Sequence, residues 1–331
     1  MREAILEGKR RFVVREVPEP APDEDEVMIR VRYCGICGSD LITYVHGVPA
    51  RYGHEYAGDV VEVGKGVKRW KPGDRVAAEC IGSCGECYWC LRGEVGLCEN
   101  FDLAWSQSAA GFATYTRVKC NRLHQLPPHV SYEEAAVVEP TAVALHAVRL
   151  SGMGMGDVVA VLGLGPIGQL VARLARISGA GAIYAAEASQ SRIDLANGIV
   201  DEVIDVNTGD AVARIRELTG GRGPDVAFEC AGAVSTTQQA VSLVRKGGTV
   251  LIVGVCINPV EMPAGSIALR ELTIKGSMVF GAGEYATALN LVADKKIDVA
   301  PLITSVMPLD EINEAFEKAV EGVGGKILIE P

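Results

Sequence analysis

The chain has 331 residues, enough for about two domains, and its 48% hydrophobic and 22% charged content supports a large core and excludes global disorder. A formal net charge of −10 repels phosphate backbones and sets nucleic acid aside as a partner. The best apolar run, Val158 to Ala172, is interrupted by Gly163, Gly165, Pro166, Gly168 and Gln169, and the N-terminal MREAILEGKRRF has no apolar export core, so the expectation is a cytoplasmic protein with no membrane partner.

Along roughly the first 130 residues the pattern is β-rich. Glu26 to Tyr33 alternates apolar and charged residues like a half-buried strand, and Ala57 to Val63 does the same before a turn at Gly64 to Gly66. Trp70 to Val76 reads as turn then strand, punctuated by Pro72-Gly73. Short strands separated by Gly and Pro predict a partly open, barrel-like domain. Residues 131–150 are rich in helix formers, and Ser131 followed by Glu134 is a capping-box pattern. Strand and helix then alternate, with strands expected at Val158–Leu162, Ala182–Ala186, Glu202–Asp205, Asp225–Glu229 and Thr249–Val253, which implies a parallel, doubly wound sheet. A helix-like stretch after about Tyr285 leads to a last strand, Lys326–Glu330.

Gly163-Leu-Gly165-Pro166-Ile167-Gly168 fits G-x-G-x-x-G between a buried strand and a helix, with Pro166 in the first turn, where a helix tolerates it. The first Gly permits the tight turn and the second lets the backbone approach a pyrophosphate. The third lets helix and strand pack closely, while the helix N-terminus attracts phosphate charge. Glu187 closes the next strand 19 positions after Gly168, where an acid holds ribose hydroxyls. The bland alternative, a Gly-rich turn in some other α/β domain, does not account for strand, helix and acid together.

Ten cysteines are many for such a chain, and Cys84, Cys87, Cys90 and Cys98 fall within fifteen residues. With no export signal, this cluster reads as a metal site before it reads as disulfides. Four thiolates on Zn²⁺ leave a charge of −2, a poor Lewis acid, so the expected role is to hold a loop. Cys37 in CGICGSD, His54 and Glu55 in GHEYAG, and Glu139 before Pro140 are weak signals one by one: a lone Cys is usually core and a lone His a satisfied polar group.

Taken together, CGICGSD, GHEYAGDVVEVG, the four-cysteine lobe, EPTAVALHAV, GLGPIG and FECAG resemble, in order and over nearly the whole chain, the zinc-containing medium-chain dehydrogenases, above all the sorbitol, threonine and butanediol branch. The resemblance implies an α/β architecture, with a GroES-like β-rich catalytic domain at 1–140 completed by 285–331, and a doubly wound Rossmann NAD-binding domain at 141–284. It implies a catalytic zinc held by Cys37, His54 and an acid, either Glu55 or Glu139, and a second, structural zinc on the cysteine lobe. One thiolate and one carboxylate neutralise Zn²⁺, so one acid is expected at a time, leaving a position open for water or substrate. Asp40 resembles the acid that orients the zinc-bound histidine, and Ser39 the hydroxyl that takes the alcohol proton; both could instead cap a helix. Arg192, Val253, Gly254, Val255, Ser277 and Met278 are implied cofactor contacts beside Gly163, Gly165, Pro166, Ile167, Gly168 and Glu187.

The expected activity is hydride transfer between a secondary alcohol, diol or polyol and NAD. The alternatives are threonine-type amino-alcohol oxidation, a zinc-free quinone or enoyl reductase, and a non-catalytic nucleotide-binding protein. The chain departs from the family at Ile42, where many relatives place a proton-relaying histidine; His46 is near in sequence. The segments between Asp40 and Gly53 and between Cys98 and Gly111, which help shape the substrate pocket in the family, are also short. A homodimer or homotetramer is expected, with Gly276 to Gly281 as the candidate sheet edge.

Overall fold

The computed structural model describes residues 1–103 and 110–331. The chain forms two compact units, Met1–Ala142 with Phe280–Pro331, and Val143–Val279. Each builds its own core.

The first unit is β-rich. β1 (Arg2–Gly8) and β2 (Arg11–Glu16) pair with β4 (Ala50–Arg51) in a small sheet. A seven-stranded sheet takes β3 (Glu26–Gly35), β5 (Glu55–Val63), β6 (Arg75–Ala78), β9 (Tyr115–Lys119) and β10 (Leu123–Gln125). It is completed from the far end of the chain by β17 (Ile303–Pro308) and β18 (Lys326–Glu330). β7 (Ile81–Gly82) and β8 (Asp102–Leu103) form a ladder of their own, with α2 (Tyr88–Leu91) between them in sequence. The strands carry β-branched residues on their inward faces, and an aromatic nest fills the core: Phe12, Tyr44, Phe112 and Phe316 have ring centroids 4.7–6.2 Å apart. Tyr44 lies on α1 (Gly38–His46) and Phe316 on α11 (Ile312–Val320), so the two helices are tied to the sheet through one cluster.

Residues 131–150 are not one helix. Ser131 caps α3 (Tyr132–Ala136), its hydroxyl accepting from Glu134 N at 3.1 Å while Glu134 Oε2 accepts from Ser131 N at 3.0 Å. α4 (Val138–Ser151) then starts anew. Pro140 has no N–H to give to Ala136, and its ring resists continuation of the preceding turn, so the break falls where proline demands it. α10 (Glu284–Ala293) is the helix expected near Tyr285.

The second unit is a six-stranded, wholly parallel sheet in the order β13-β12-β11-β14-β15-β16. These are β11 (Val158–Leu162), β12 (Ala182–Glu187), β13 (Glu202–Asp205), β14 (Val226–Glu229), β15 (Thr249–Ile252) and β16 (Thr273–Gly276). α5 (Pro166–Ile177), α6 (Gln190–Leu195), α7 (Ala211–Leu218), α8 (Val234–Leu243) and α9 (Ala264–Leu269) supply the crossovers. The strand order reverses beside β11, the position at which open parallel sheets bind dinucleotides. The near-continuous Val, Ala, Ile and Leu runs of β11 and β12 are buried, as a sheet covered on both faces requires. Gly276 to Gly281 does not extend this sheet as expected. The ladder ends at Ile252↔Gly276, and Val279 sits at φ 50°, a left-handed conformation that a strand cannot accommodate. The edge is β16 itself.

Candidate active site

Cys37 directly precedes α1 as its N-cap, and Asp40 lies in the first turn, where its Oδ2 accepts from Cys37 N at 3.0 Å. That bond satisfies a helix-end donor and fixes the thiol at the helix entrance. The other oxygen, Oδ1, lies 3.5 Å from Nδ1 of buried His54. Asp40 therefore serves as helix cap and as histidine partner at once. His54 directly precedes β5 and Glu55 opens it, and β5 pairs with β3 through Gly35↔Glu55. The ligand atoms of Cys37, His54 and Glu55 lie within 4.8 Å of one another.

The electrostatics of this cluster suit a cation. Burial opposes charge on His54, yet Asp40 and the Cys37 sulfur outweigh it and hold the imidazole well above its usual range, so a positive charge is favoured here. Glu55 Oε1 is buried with no hydrogen-bond partner among the described residues. A buried orphan acceptor is costly, and a metal ion would satisfy it. Glu55 Oε2 is already engaged by the ammonium of Lys326 on β18. Gly35 backs this carboxylate so closely that a Cβ there would overlap Glu55 Oε2.

Glu139 does not join the cluster. From the first turn of α4 its Oε1 accepts from the Cys80 thiol at 2.9 Å. Burial pushes this carboxyl up to about 7, against the pull of His54, and burial beside Glu139 raises the Cys80 thiol well above its usual range. Of the two acids left open by sequence, the geometry places Glu55 with Cys37 and His54. Ser39, half-buried, stands two residues from Cys37 in the first turn of α1.

Lys326 and Cys80 were not singled out from sequence. Lys326 opens the strand KILIE, and a charge at a buried position ahead of three apolar residues was the available signal. Cys80 precedes the four-cysteine lobe and reads there as one more thiol.

The lobe brings its four sulfurs together: Cys84 and Cys98 are 3.6 Å apart, and Cys84–Cys90 and Cys87–Cys98 are each 3.9 Å apart. Tetrahedral Zn²⁺ with sulfur at ~2.3 Å requires edges of ~3.8 Å, so the donor set fits that ion. Backbone N–H groups of Cys84 and Cys87 point at Cys98 Sγ and Cys84 Sγ, at 3.3 and 3.4 Å. Backbone donors also bring the Cys87 thiol down to about 6, favouring thiolate.

In the second unit the implied cofactor residues gather at the carboxyl ends of the strands. Gly163 follows β11, Gly165 is the N-cap of α5, and Pro166 and Ile167 open that helix. At Gly168 a Cβ would overlap the carbonyl of Gly163, so only glycine lets the helix approach the strand this closely. Val253, Gly254 and Val255 follow β15; Ser277 and Met278 follow β16. Arg192 is on α6, its guanidinium facing Gly165, and its carbonyl accepts from Gln169 Nε2 at 2.7 Å. Ser277 Oγ and Glu229 Oε2 are buried without partners among the described residues, which suits a site completed by a polar ligand. Glu187 is already occupied: Oε2 accepts from Leu164 N at 2.7 Å, and Oε1 from Ala188 N and Ser189 N at 2.7 and 2.9 Å. A carboxylate has about four acceptor sites, so these three donors leave it acceptor capacity to spare.

Comparison with known proteins agrees with this architecture. Residues 23–128 match the alcohol dehydrogenase GroES-like domain and residues 166–294 the zinc-binding dehydrogenase domain. The chain is 35% identical to a sorbitol dehydrogenase of Halalkalibacterium halodurans, over 98% of this chain and 97% of the relative. It is 36% identical to the (R,R)-butanediol dehydrogenase of Bacillus subtilis, over the full length of both. A solved zinc-binding dehydrogenase of Sinorhizobium meliloti, bound to NADP, superposes with a TM-score of 0.93 at 34% identity, covering 100% of this chain and 99% of that one. With matches of this identity running from end to end, the chain belongs to the zinc-dependent medium-chain alcohol and polyol dehydrogenases, enzymes of zinc and a nicotinamide cofactor.

Proposed function

We propose that the protein oxidises a secondary hydroxyl of a diol or polyol with NAD, and reduces the matching ketone in reverse. The observation that carries this reading is the convergence of Cys37, His54 and Glu55 on one buried point. In this reading residues 1–140 and 285–331 provide the catalytic domain, and residues 141–284 bind NAD. Cys37, His54 and Glu55 hold one zinc ion, and Cys84, Cys87, Cys90 and Cys98 hold a second. Bound at their sites, zinc lowers the pKa of the substrate alcohol and nicotinamide accepts the hydride. Asp40 fixes the ring of His54 and its tautomer. Ser39 takes the hydroxyl proton. Glu139, tied to Cys80, stays off the metal and adds no second carboxylate to its charge. A zinc-free reductase would have no use for a thiol, an imidazole and an orphaned carboxylate oxygen in one buried cluster. The ten free cysteines fit a reducing, cytoplasmic setting.

Steady-state assays with sorbitol, xylitol, 2,3-butanediol, threonine and simple secondary alcohols test the reading. NAD-linked turnover is expected to be best with a polyol or vicinal diol. A clear preference for threonine, or for an enone with NADPH, would displace it.

Cofactor choice follows from Glu187. A 2′-phosphate there meets a like charge, and Ala188 and Ser189 offer no compensating cation. Arg192 is placed over Gly165, on the pyrophosphate side of the loop. A difference of about 3 kcal/mol corresponds to about a hundredfold in specificity. NAD is therefore expected to exceed NADP by about that factor in kcat/KM, and Glu187→Ala to narrow the gap. Equal or better use of NADP by the wild type would show that Glu187 does not face the ribose.

Assembly is expected through β16, which pairs only with β15 among the described residues. Leu269 and Met278, on either side of β16 in the chain, are 86% and 49% exposed, and Val255 and Ile257, which follow β15, are 63% and 60% exposed; these are apolar side chains that a second copy would cover. Light scattering should give a homodimer or homotetramer, shifted toward monomer by Leu269→Glu. A monomeric wild type would contradict this.

A further inference from the structure

The buried partner of Glu55 has a consequence for the metal. Lys326 is only 2% exposed, and its ammonium is fixed by two acceptors, the carbonyl of Ile36 at 3.0 Å and Glu55 Oε2. Its strand is locked to the site by Ile36 N donating to Ile327 O at 3.0 Å, and by the pairing of Leu328 with Gly35. On its other side Glu55 Oε2 lies against Gly35, where no side chain would fit. One oxygen of Glu55 is thus clamped between a cation and a backbone wall. The other, Oε1, is buried and unpartnered among the described residues.

We infer that Lys326 is a positioning residue that restricts Glu55 to one-oxygen ligation, so that the metal keeps an open coordination position. The inference rests on the reading of Cys37, His54 and Glu55 as a zinc site. It also resolves a charge problem. Zn²⁺, the Cys37 thiolate and the Glu55 carboxylate sum to zero, and Lys326 offsets Glu139 when that acid is ionised, so two acids coexist beside the ion without weakening it as a Lewis acid. Neutralising Lys326 frees Glu55 Oε2. Glu55 then offers both oxygens, fills the open position and holds the ion more tightly, at the expense of catalysis. A purely architectural lysine predicts the opposite: its loss loosens the site, and the metal leaves more easily.

The sign of the affinity change is therefore the test. Lys326→Gln, which keeps a donor to Ile36 but loses the charge, and Lys326→Arg are compared with wild type in the full-length protein. Zinc content is measured by elemental analysis, zinc affinity by chelator competition, and coordination by the visible spectrum of the Co²⁺-substituted protein. Lys326→Gln is expected to hold the site ion about tenfold more tightly, to shift the Co²⁺ bands toward the weaker absorption of higher coordination, and to lose kcat. Lys326→Arg should behave like wild type. Unchanged or weaker zinc binding in Lys326→Gln would overturn the inference. Should that variant not fold, Lys326→Met combined with Glu55→Gln leaves no unpaired buried charge. It must then bind zinc as Glu55→Gln does alone, and any further change would show that Lys326 does not act through Glu55. Cys37→Ala separates the two claims: if it leaves the zinc count unchanged, the metal site itself is misread, whatever Lys326 does.

Discussion

Cys37→Ala and His54→Ala are each expected to reduce turnover by about a thousandfold or more, a loss of roughly 4 kcal/mol in transition-state stabilisation, while leaving NAD affinity nearly unchanged. Each removes one of the three side chains whose ligand atoms converge here among the described residues. Neither lies in the parallel-sheet unit that carries Gly163 to Gly168 and Glu187. Zinc content should fall by one ion per chain in both. The two acids should separate. Glu55→Gln should be severe, because it removes the carboxylate that sits with Cys37 and His54. Glu139→Gln should be milder, because that carboxyl is bonded to Cys80. Near-normal kcat in Cys37→Ala, or a larger loss for Glu139→Gln than for Glu55→Gln, would show that the ligand set is misassigned.

Cys98→Ala is expected to act on stability. The lobe has almost no core of its own: α2 buries none of its residues, and Tyr88 and Leu91 are 61% and 75% exposed. An ion held by Cys84, Cys87, Cys90 and Cys98, as proposed, would supply the cohesion that this missing core does not. Structural zinc contributes of order 10 kcal/mol in small zinc domains, most of it as folding energy. Even about a third of that would lower Tm by roughly 10 °C for a unit of this size. The thermal midpoint and zinc content of Cys98→Ala, read together, check this. A variant that loses one zinc with an unchanged midpoint would mean that the lobe folds without metal. Retention should also depend on pH. Zinc binds thiolates, so protons compete as pH falls, and although Cys87 is drawn down to about 6, Cys90 is pushed up to about 11, so the lobe ion should be lost progressively on acidification.

What sequence revealed was what lies close along the chain. The loop from Gly163 to Gly168, with its preceding strand and following helix, is a local device, and the structure places it between β11 and α5. The lobe cysteines were legible for the same reason, as were the Ser131–Glu134 cap and the strands from Val158 to Ile252. Contacts between distant residues were not legible. Lys326 meets Glu55 across 271 positions, and Cys80 meets Glu139 across 59. No periodicity encodes either pairing, yet they decide which acid stands beside Cys37 and His54. One local reading failed on backbone grounds: Val279 at positive φ ended an apparently strand-like run.

Metal dependence of turnover is the measurement that bears most directly on the account. Wild-type protein purified in the presence of zinc is assayed by NADH formation on a polyol. The site ion is then withdrawn with a chelator under conditions that spare the lobe ion, and zinc is added back. The account predicts that activity falls in step with loss of the first ion, while the fold is retained, and returns on adding zinc. Full activity in protein that has lost the ion held by Cys37, His54 and Glu55 would contradict it.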